Sequence, residues 1–300
     1  MHIVTFKKDS DSPKLGALVG NDYIVAFQNG TGSADPASFD LDGPLLKQGF
    51  AAYEQFKEPG ADLEALASGG RLIKRSEARL LAPVPRPGKL VCIGLNYRDH
   101  AIESKMEIPS VPTVFAKFSN AVIGPGDPIV LSAATQKPDY EAEFAVVIGK
   151  RAKHVSNSNW KECVFGYTIL NDVSARDVQL ATSQWTVGKS FDTFAPLGPH
   201  IVTADEVPDP HALDIRLSIG GEILQHSNTR ELIFRIPELI EYLSQGMTLE
   251  PGDIISTGTP AGVGLGRNPQ RWLRPGEEIV IEIDKIGTLR NPVVADQARN

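Results

Sequence analysis

The chain has 300 residues, of which 41% are hydrophobic, enough to bury a full core as one large domain or two unequal ones. A formal charge of -7, with 30 Lys and Arg scattered rather than gathered into a stripe, excludes a non-specific nucleic-acid binder. Two cysteines are too few for a disulfide scaffold, and no apolar run approaches the roughly 18 residues of a membrane span. With no charged-then-apolar leader pattern in Met1–Asp9, the cytoplasm is the expected compartment.

The elements follow in chain order. A hairpin-like start is predicted from Ile3–Phe6 and Lys14–Phe27, then a polar stretch rich in Gly and Asp, then a weakly helical region over Leu45–Leu66. The connector Ala82-Pro83-Val84-Pro85-Arg86-Pro87-Gly88 is stiff and cannot extend a ladder. It divides the chain into a small N-terminal domain (1–82) and a larger domain (83–300). From Lys89 onward, short runs of Val, Ile, Leu and Phe between turns predict a predominantly β, α+β fold. Turns are expected at Pro125-Gly126-Asp127, Pro251-Gly252-Asp253 and Pro275-Gly276-Glu277. A short helix is predicted near Ser174, and a longer one over Ile236–Ser244 with apolar Ile236, Leu239, Ile240 and Leu243 at helical spacing. Cys92 and Cys163 have apolar neighbours and read as packed thiols. The histidines at 2, 154, 200, 211 and 226 read as structural.

The residues that carry chemistry begin with acids where strands are expected. Glu141 and Glu143 stand two apart in Asp139-Tyr140-Glu141-Ala142-Glu143-Phe144, so a strand would aim both at one point; Asp172 ends the run Ile169-Leu170-Asn171. They would be a solvated face if this were an edge strand, but the run after Glu143 is apolar on both faces and points to a sheet interior. Buried carboxylates need a positive partner, and no Lys or Arg near them in sequence answers for all three. Oxygen ligands suit a hard divalent cation: Mg²⁺ first, then Mn²⁺ or Ca²⁺. His100 and Glu103, three apart in a helical turn, form a candidate general base with its orienting carboxylate. The stretch Arg98–Pro112 lacks apolar periodicity and reads as a lid. Lys189 is expected in a polar turn, where it would stabilise an oxyanion or bind a carboxylate. The loop Ser256–Gly264 is rich in glycine and has no lysine, so its amides suit a carboxylate better than a triphosphate.

Five motifs, in this order, resemble the fumarylacetoacetate hydrolase family over about Lys89–Val294: Gly94-Leu95-Asn96-Tyr97 with Asp99-His100, Asp139-Tyr140-Glu141-Ala142-Glu143, Asn171–Asp177, Gly188-Lys189-Ser190-Phe191-Asp192, and Thr257-Gly258-Thr259-Pro260 with Gly262-Val263-Gly264. The resemblance implies a mixed β-sandwich roll, commonly a homodimer, and an enzyme acting on a small 2-oxo carboxylate. It implies that Glu141, Glu143 and Asp172 hold Mg²⁺ or Mn²⁺, that His100 and Glu103 form a lid-borne dyad activating water, and that Lys189 stands beside the substrate carbonyl. Arg176, Gln179 and Thr259 would contact substrate or support the residues that do. Hydrolysis of a carbon–carbon bond in an acylpyruvate-like 2,4-diketo acid is the first expectation. The alternatives reach the same enolate: oxaloacetate decarboxylation or enol–keto tautomerisation, hydrolysis of a diketo-deoxy sugar acid, and dienoate hydration or isomerisation.

Overall fold

A computed structural model describes residues 1–8, 12–20, 22–27 and 72–296. The weak helix expected over Leu45–Leu66 lies outside them. Among the described residues the strands in the first half are β1 (His2–Lys7), β2 (Lys14–Val19), β3 (Tyr23–Ala26), β4 (Leu72–Lys74), β5 (Arg79–Leu80), β6 (Leu90–Gly94), β7 (Thr113–Lys117), β8 (Val122–Ile123), β9 (Ile129–Leu131), β10 (Pro138–Asp139) and β11 (Ala142–Ile148). The second half supplies β12 (Val164–Asn171), β13 (Ser174–Ala175), β14 (Ala195–Thr203), β15 (Asp214–Ile219), β16 (Glu222–Asn228), β17 (Ile254–Ser256), β18 (Glu278–Ile283) and β19 (Gly287–Ala295). The α-helices are α1 (Arg98–Ser104), α2 (Arg176–Gln179), α3 (Thr186–Lys189) and α4 (Ile236–Gly246).

The fold is α+β and predominantly β. A large sheet runs β4-β3-β2-β1-β14-β12-β11-β17-β6-β7, with β5 added to β1 and β8 to β14, and a second runs β16-β15-β18-β19-β9. Most pairs are antiparallel, but β17 with β6, β14 with β8 and β19 with β9 are parallel, which makes both sheets mixed. The described N-terminal strands continue the large sheet, since Ile3 of β1 pairs with Ile201 of β14. The proline connector is stitched to them: Thr5 Oγ1 donates to the Pro83 carbonyl at 2.8 Å, and Val84 is buried.

Strand β11 decides where the site sits. Phe144, Val146 and Ile148 face one core with Ile215, Leu217, Ile279, Ile281 and α4, while Ala145 and Val147 face a second core with Leu170, Leu197 and Ile254. Burial on both faces makes it an interior strand, as its apolar run predicts. Each fully buried large side chain contributes about 1.5–3 kcal/mol, so the start of β11 is rigidly held. Strand β18 is one-sided, with Ile279, Ile281 and Ile283 inward.

Helix α4 forms where its spacing predicts it and runs two residues further, to Gly246. Pro237 sits in its first turn, and the Glu238 side chain accepts the Arg235 N–H at 2.6 Å. The three Pro-Gly-acid turns form, with Gly126, Gly252 and Gly276 at φ 79, 86 and 90°, the left-handed region that glycine adopts at no steric cost. Both cysteines are buried and free, and burial pushes their thiols up. Among the described residues no helix is long and apolar enough to cross a membrane.

Candidate active site

The three acids meet. Glu141 and Glu143 share the parity of Ala145 and Val147, and Glu143 stands opposite Leu170 of β12, so Asp172, just past the end of β12, falls beside Glu141; its N–H donates to the Glu141 carbonyl at 2.9 Å. One oxygen from each carboxylate lies within 4.8 Å of the others, and all three residues are buried.

Basic groups from distant parts of the chain reach this cluster, though none pairs with all three acids. Lys189 Nζ donates to Glu141 Oε2 and to Asp172 Oδ2, both at 2.7 Å. Arg176 Nη2 donates to Glu141 Oε1 at 2.5 Å, and Lys117 Nζ to Asp172 Oδ1 at 2.7 Å. Sequence distance hid them: 35 residues separate Arg176 from Glu141, and 55 separate Lys117 from Asp172. Lys189 also differs from its expected place. It closes the single turn of α3 and is only 2% exposed, because its ammonium is held between two carboxylates and lies 4.9 Å from the centre of the Phe115 ring.

The cations do not satisfy every acid. Among the described residues of the cluster, four buried carboxylates (Asp139, Glu141, Glu143, Asp172) meet three buried cations (Lys117, Arg176, Lys189). Burial pushes Glu141 up, but Arg176 and Lys189 outweigh it and hold its carboxyl well below the usual range. Glu143 goes the other way. Burial, then repulsion from Asp172 and Glu141, raise it well above an ordinary carboxylate. Its hydrogen-bond donors are neutral: the Ser256 hydroxyl, and the Gly258 N–H at 3.1 Å. A buried, all-oxygen cluster with excess negative charge fits a hard divalent cation: each carboxylate oxygen of Glu141 and Asp172 accepts one hydrogen bond and keeps a lone pair, and Glu143 keeps Oε1, since Ser256 and Gly258 both donate to its Oε2.

The dyad forms on α1, where His100 Nδ1 and Glu103 Oε2 are 3.0 Å apart. Glu103 Oε1 also accepts the Gly262 N–H at 2.9 Å. Eight of the candidate residues, namely His100, Glu103, Glu141, Glu143, Arg176, Gln179, Lys189 and Thr259, line one cavity of about 420 Å³. Asp172 lies behind them, fully buried. Arg176 is spent within the protein, on Asp139 Oδ2 (2.8 Å), Gln179 Oε1 (3.0 Å) and Glu141. Thr259 donates to the Ala142 carbonyl at 2.9 Å and accepts from Gln225 Nε2 at 2.8 Å. Met106, Leu180, Trp185 and Leu265 give the remaining wall an apolar character.

Residues 89–294 match the profile described as fumarylacetoacetate (FAA) hydrolase C-terminal, more than half of the chain. The chain belongs to the fumarylacetoacetate hydrolase family. The mitochondrial oxaloacetate tautomerase FAHD2A of Bos taurus is 45% identical over 284 residues, covering 92% of this chain and 88% of its own. The mitochondrial oxaloacetate tautomerase fahd2 of Xenopus laevis is 40% identical over 302 residues, covering 98% and 90%. Among solved structures, maleylpyruvate hydrolase from Sphingobium sp. SYK-6, in complex with manganese(II) ion and pyruvate, matches with a TM-score of 0.77 at 32% identity, covering 99% of this chain and 100% of that one.

As a fumarylacetoacetate hydrolase family member, this chain is an enzyme. The cytoplasmic expectation is overturned, because both tautomerase relatives are named as mitochondrial. An acidic soluble composition suits any aqueous compartment and carries no address.

Four polar residues of the site escaped the sequence reading. Asp139 was legible by parity, since it stands two residues before Glu141; its carboxylate binds Arg176 and accepts the N–H groups of Gly264 (2.7 Å) and Leu265 (3.0 Å). Lys117 and Gln225 carry no local signal, and Ser256 opens the glycine loop without any local tie to Glu143, to which it donates. Gln225 comes from β16 in the second sheet, accepts the Ala142 N–H at 2.9 Å and donates to the Pro260 carbonyl at 2.8 Å. The glycine loop does receive carboxylates, as its composition predicts, but they are the protein's own Glu143, Glu103 and Asp139.

Proposed function

We propose that this enzyme interconverts the enol and keto forms of oxaloacetate or a close 2-oxo dicarboxylate, with a divalent cation as cofactor. Near-full-length similarity to two oxaloacetate tautomerases favours this reading over the acylpyruvate hydrolysis expected first from sequence. The observation that carries it is the His100–Glu103 pair, joined at 3.0 Å and lining the cavity that also holds Lys189. Tautomerisation needs little more. The enol hydroxyl gives up its proton, its electron pair forms the C2 carbonyl, and the former double-bond pair takes a proton at C3.

Glu141, Glu143 and Asp172 would hold Mg²⁺ or Mn²⁺, as the Mn²⁺ and pyruvate complex of the Sphingobium relative supports, and the cation would supply stabilisation of enolate negative charge. Lys189, fixed between Glu141 and Asp172, offers a preorganised ammonium beside that charge. Glu103 accepts the Nδ1 proton of His100, which leaves Nε2 to exchange protons with C3. Gln179 keeps its amide donors for a substrate oxygen, because its own oxygen accepts from Arg176. Arg176 and Thr259 hold the Glu141 carboxylate and the Ala142 carbonyl and bound the pocket. In the same reading, 83–300 is the catalytic unit, 1–82 is a small N-terminal domain, and the chain works as a homodimer, which sedimentation checks.

The test follows decay of enol absorbance in oxaloacetate, with lactate dehydrogenase coupling to report pyruvate. Enol decay accelerated without pyruvate release, and slowed about 10²-fold in His100→Asn, is the expected result. Cleavage of acetylpyruvate or oxaloacetate to pyruvate faster than enol conversion would overturn it.

A further inference from the structure

The dyad and the carboxylate cluster come from distant parts of the chain, yet both are fastened to one short segment, 262–266. At one end Gly262 N–H donates to Glu103 Oε1 at 2.9 Å. In the middle Gly264 and Leu265 N–H hold Asp139 at 2.7 and 3.0 Å, and Asp139 holds Arg176, which holds Glu141. The segment is itself tightly seated. A Cβ at Gly262 would lie 2.0 Å from the Leu224 carbonyl oxygen, and one at Gly264 would lie 1.8 Å from that of Arg271.

Gly266 is different. It is exposed, and its φ lies outside the left-handed region, so its backbone accepts a side chain. The three atoms nearest to a Cβ built there all belong to Glu103: Cδ at 2.6 Å, Oε1 at 2.9 Å and Cγ at 3.0 Å. Carbon atoms in contact normally stand about 3.5–4.0 Å apart, so a methyl group here moves the Glu103 carboxylate by about 1 Å. That carboxylate makes two bonds, to Gly262 N–H at 2.9 Å and to His100 Nδ1 at 3.0 Å, and a shift of that size exceeds the roughly 0.5 Å that separates either from the length of about 3.5 Å at which hydrogen bonds fail.

We propose that Gly266 is a positioning residue: its missing side chain sets how far Glu103 settles onto the 262–266 segment, and so the direction in which His100 presents its free nitrogen to the cavity. The catalytic consequence rests on the proton-transfer role given to His100; the geometric claim stands apart from it. Misplacement of a reacting group by about 1 Å costs up to ~10²-fold in rate. The three atoms nearest to that Cβ all belong to Glu103 and none to the carboxylate cluster, so cation affinity is expected to hold.

The test is a double-mutant cycle of Gly266→Ala and Glu103→Ala, read by enol-oxaloacetate turnover, Mn²⁺ calorimetry, and NMR of ¹⁵N-histidine-labelled protein. Gly266→Ala is expected to lower kcat by about 10-fold to 10²-fold with KM and the Mn²⁺ Kd unchanged, and to erase the hydrogen-bonded Nδ1–H signal of His100. In the Glu103→Ala background the added methyl group enters vacated space, and turnover should change less than about twofold further, a strongly non-additive pair. Multiplying losses, or Gly266→Ala with wild-type turnover and an intact Nδ1–H signal, would overturn the proposal. If the wild-type enzyme does not convert the enol at all, the proposed function falls, and retention or loss of the Nδ1–H signal in Gly266→Ala then decides the positioning claim alone.

Discussion

Replacing Lys189 by Met tests whether the site is an acid cluster held together by cations. The ammonium lies 2.7 Å from Glu141 Oε2 and 2.7 Å from Asp172 Oδ2, with side-chain exposures of 2%, 7% and 0% for the three groups. Removing one partner of a buried ion pair costs about 3–5 kcal/mol, because the remaining charge is left uncompensated. In a protein of this size each kcal/mol moves the melting temperature by roughly 2–4 °C, so Lys189→Met should melt on the order of 10 °C lower in EDTA. A divalent cation binding the folded cluster at a hundred times its Kd returns about 2.7 kcal/mol. Calorimetric melting with and without Mg²⁺ should therefore show a larger rise in the variant than in the wild type, since loss of the lysine charge strengthens cation binding. Glu143→Gln is the control. It relieves both burial and like-charge repulsion, so it should melt no lower than wild type in EDTA and lose the response to Mg²⁺. A Lys189→Met melting temperature within about 2 °C of wild type in EDTA, or identical Mg²⁺ responses, would refute the charge argument.

Three further outcomes follow from the same structure. Burial above all, then neighbouring His2, lowers His200 from 6.5 to about 3. Because the unfolded chain binds this proton first, stability is full above about pH 6.5 and drains as pH falls toward 3, by about 2 kcal/mol at pH 5 as an upper estimate; His200→Phe, which can keep the stack on His2, should flatten the melting curve between pH 7 and 5, and an unchanged slope would refute this. Gly264→Ala, unlike Gly266→Ala, would drive a methyl group into the Arg271 carbonyl and the Asp139 carboxylate, so it should lower the melting temperature markedly; wild-type stability by calorimetry would show that the segment yields. His100→Asn should keep wild-type Mn²⁺ affinity by calorimetry while losing turnover, since the ring makes its bond to Glu103 rather than to the cluster; lost Mn²⁺ binding would contradict that separation.

Much of the site was legible before any coordinates. Alternating parity brought Glu141 and Glu143 to one face, helical spacing joined His100 to Glu103, and a doubly apolar run made β11 an interior strand; each is a local rule of backbone geometry acting within a few residues. Turn chemistry likewise fixed the three Pro-Gly turns. What escaped depended on contacts between distant segments. Lys117 and Arg176 reach the acids only because β7 and α2 are folded against them, Gln225 crosses from the second sheet, and Lys189 is buried rather than exposed because two carboxylates stabilise its charge there. Sequence alone determined which candidate residues are local neighbours, as parity and helical spacing show. Only the tertiary structure decided how charge is balanced among them, because electrostatic pairing depends on distance and burial in space, which positions along the chain do not encode.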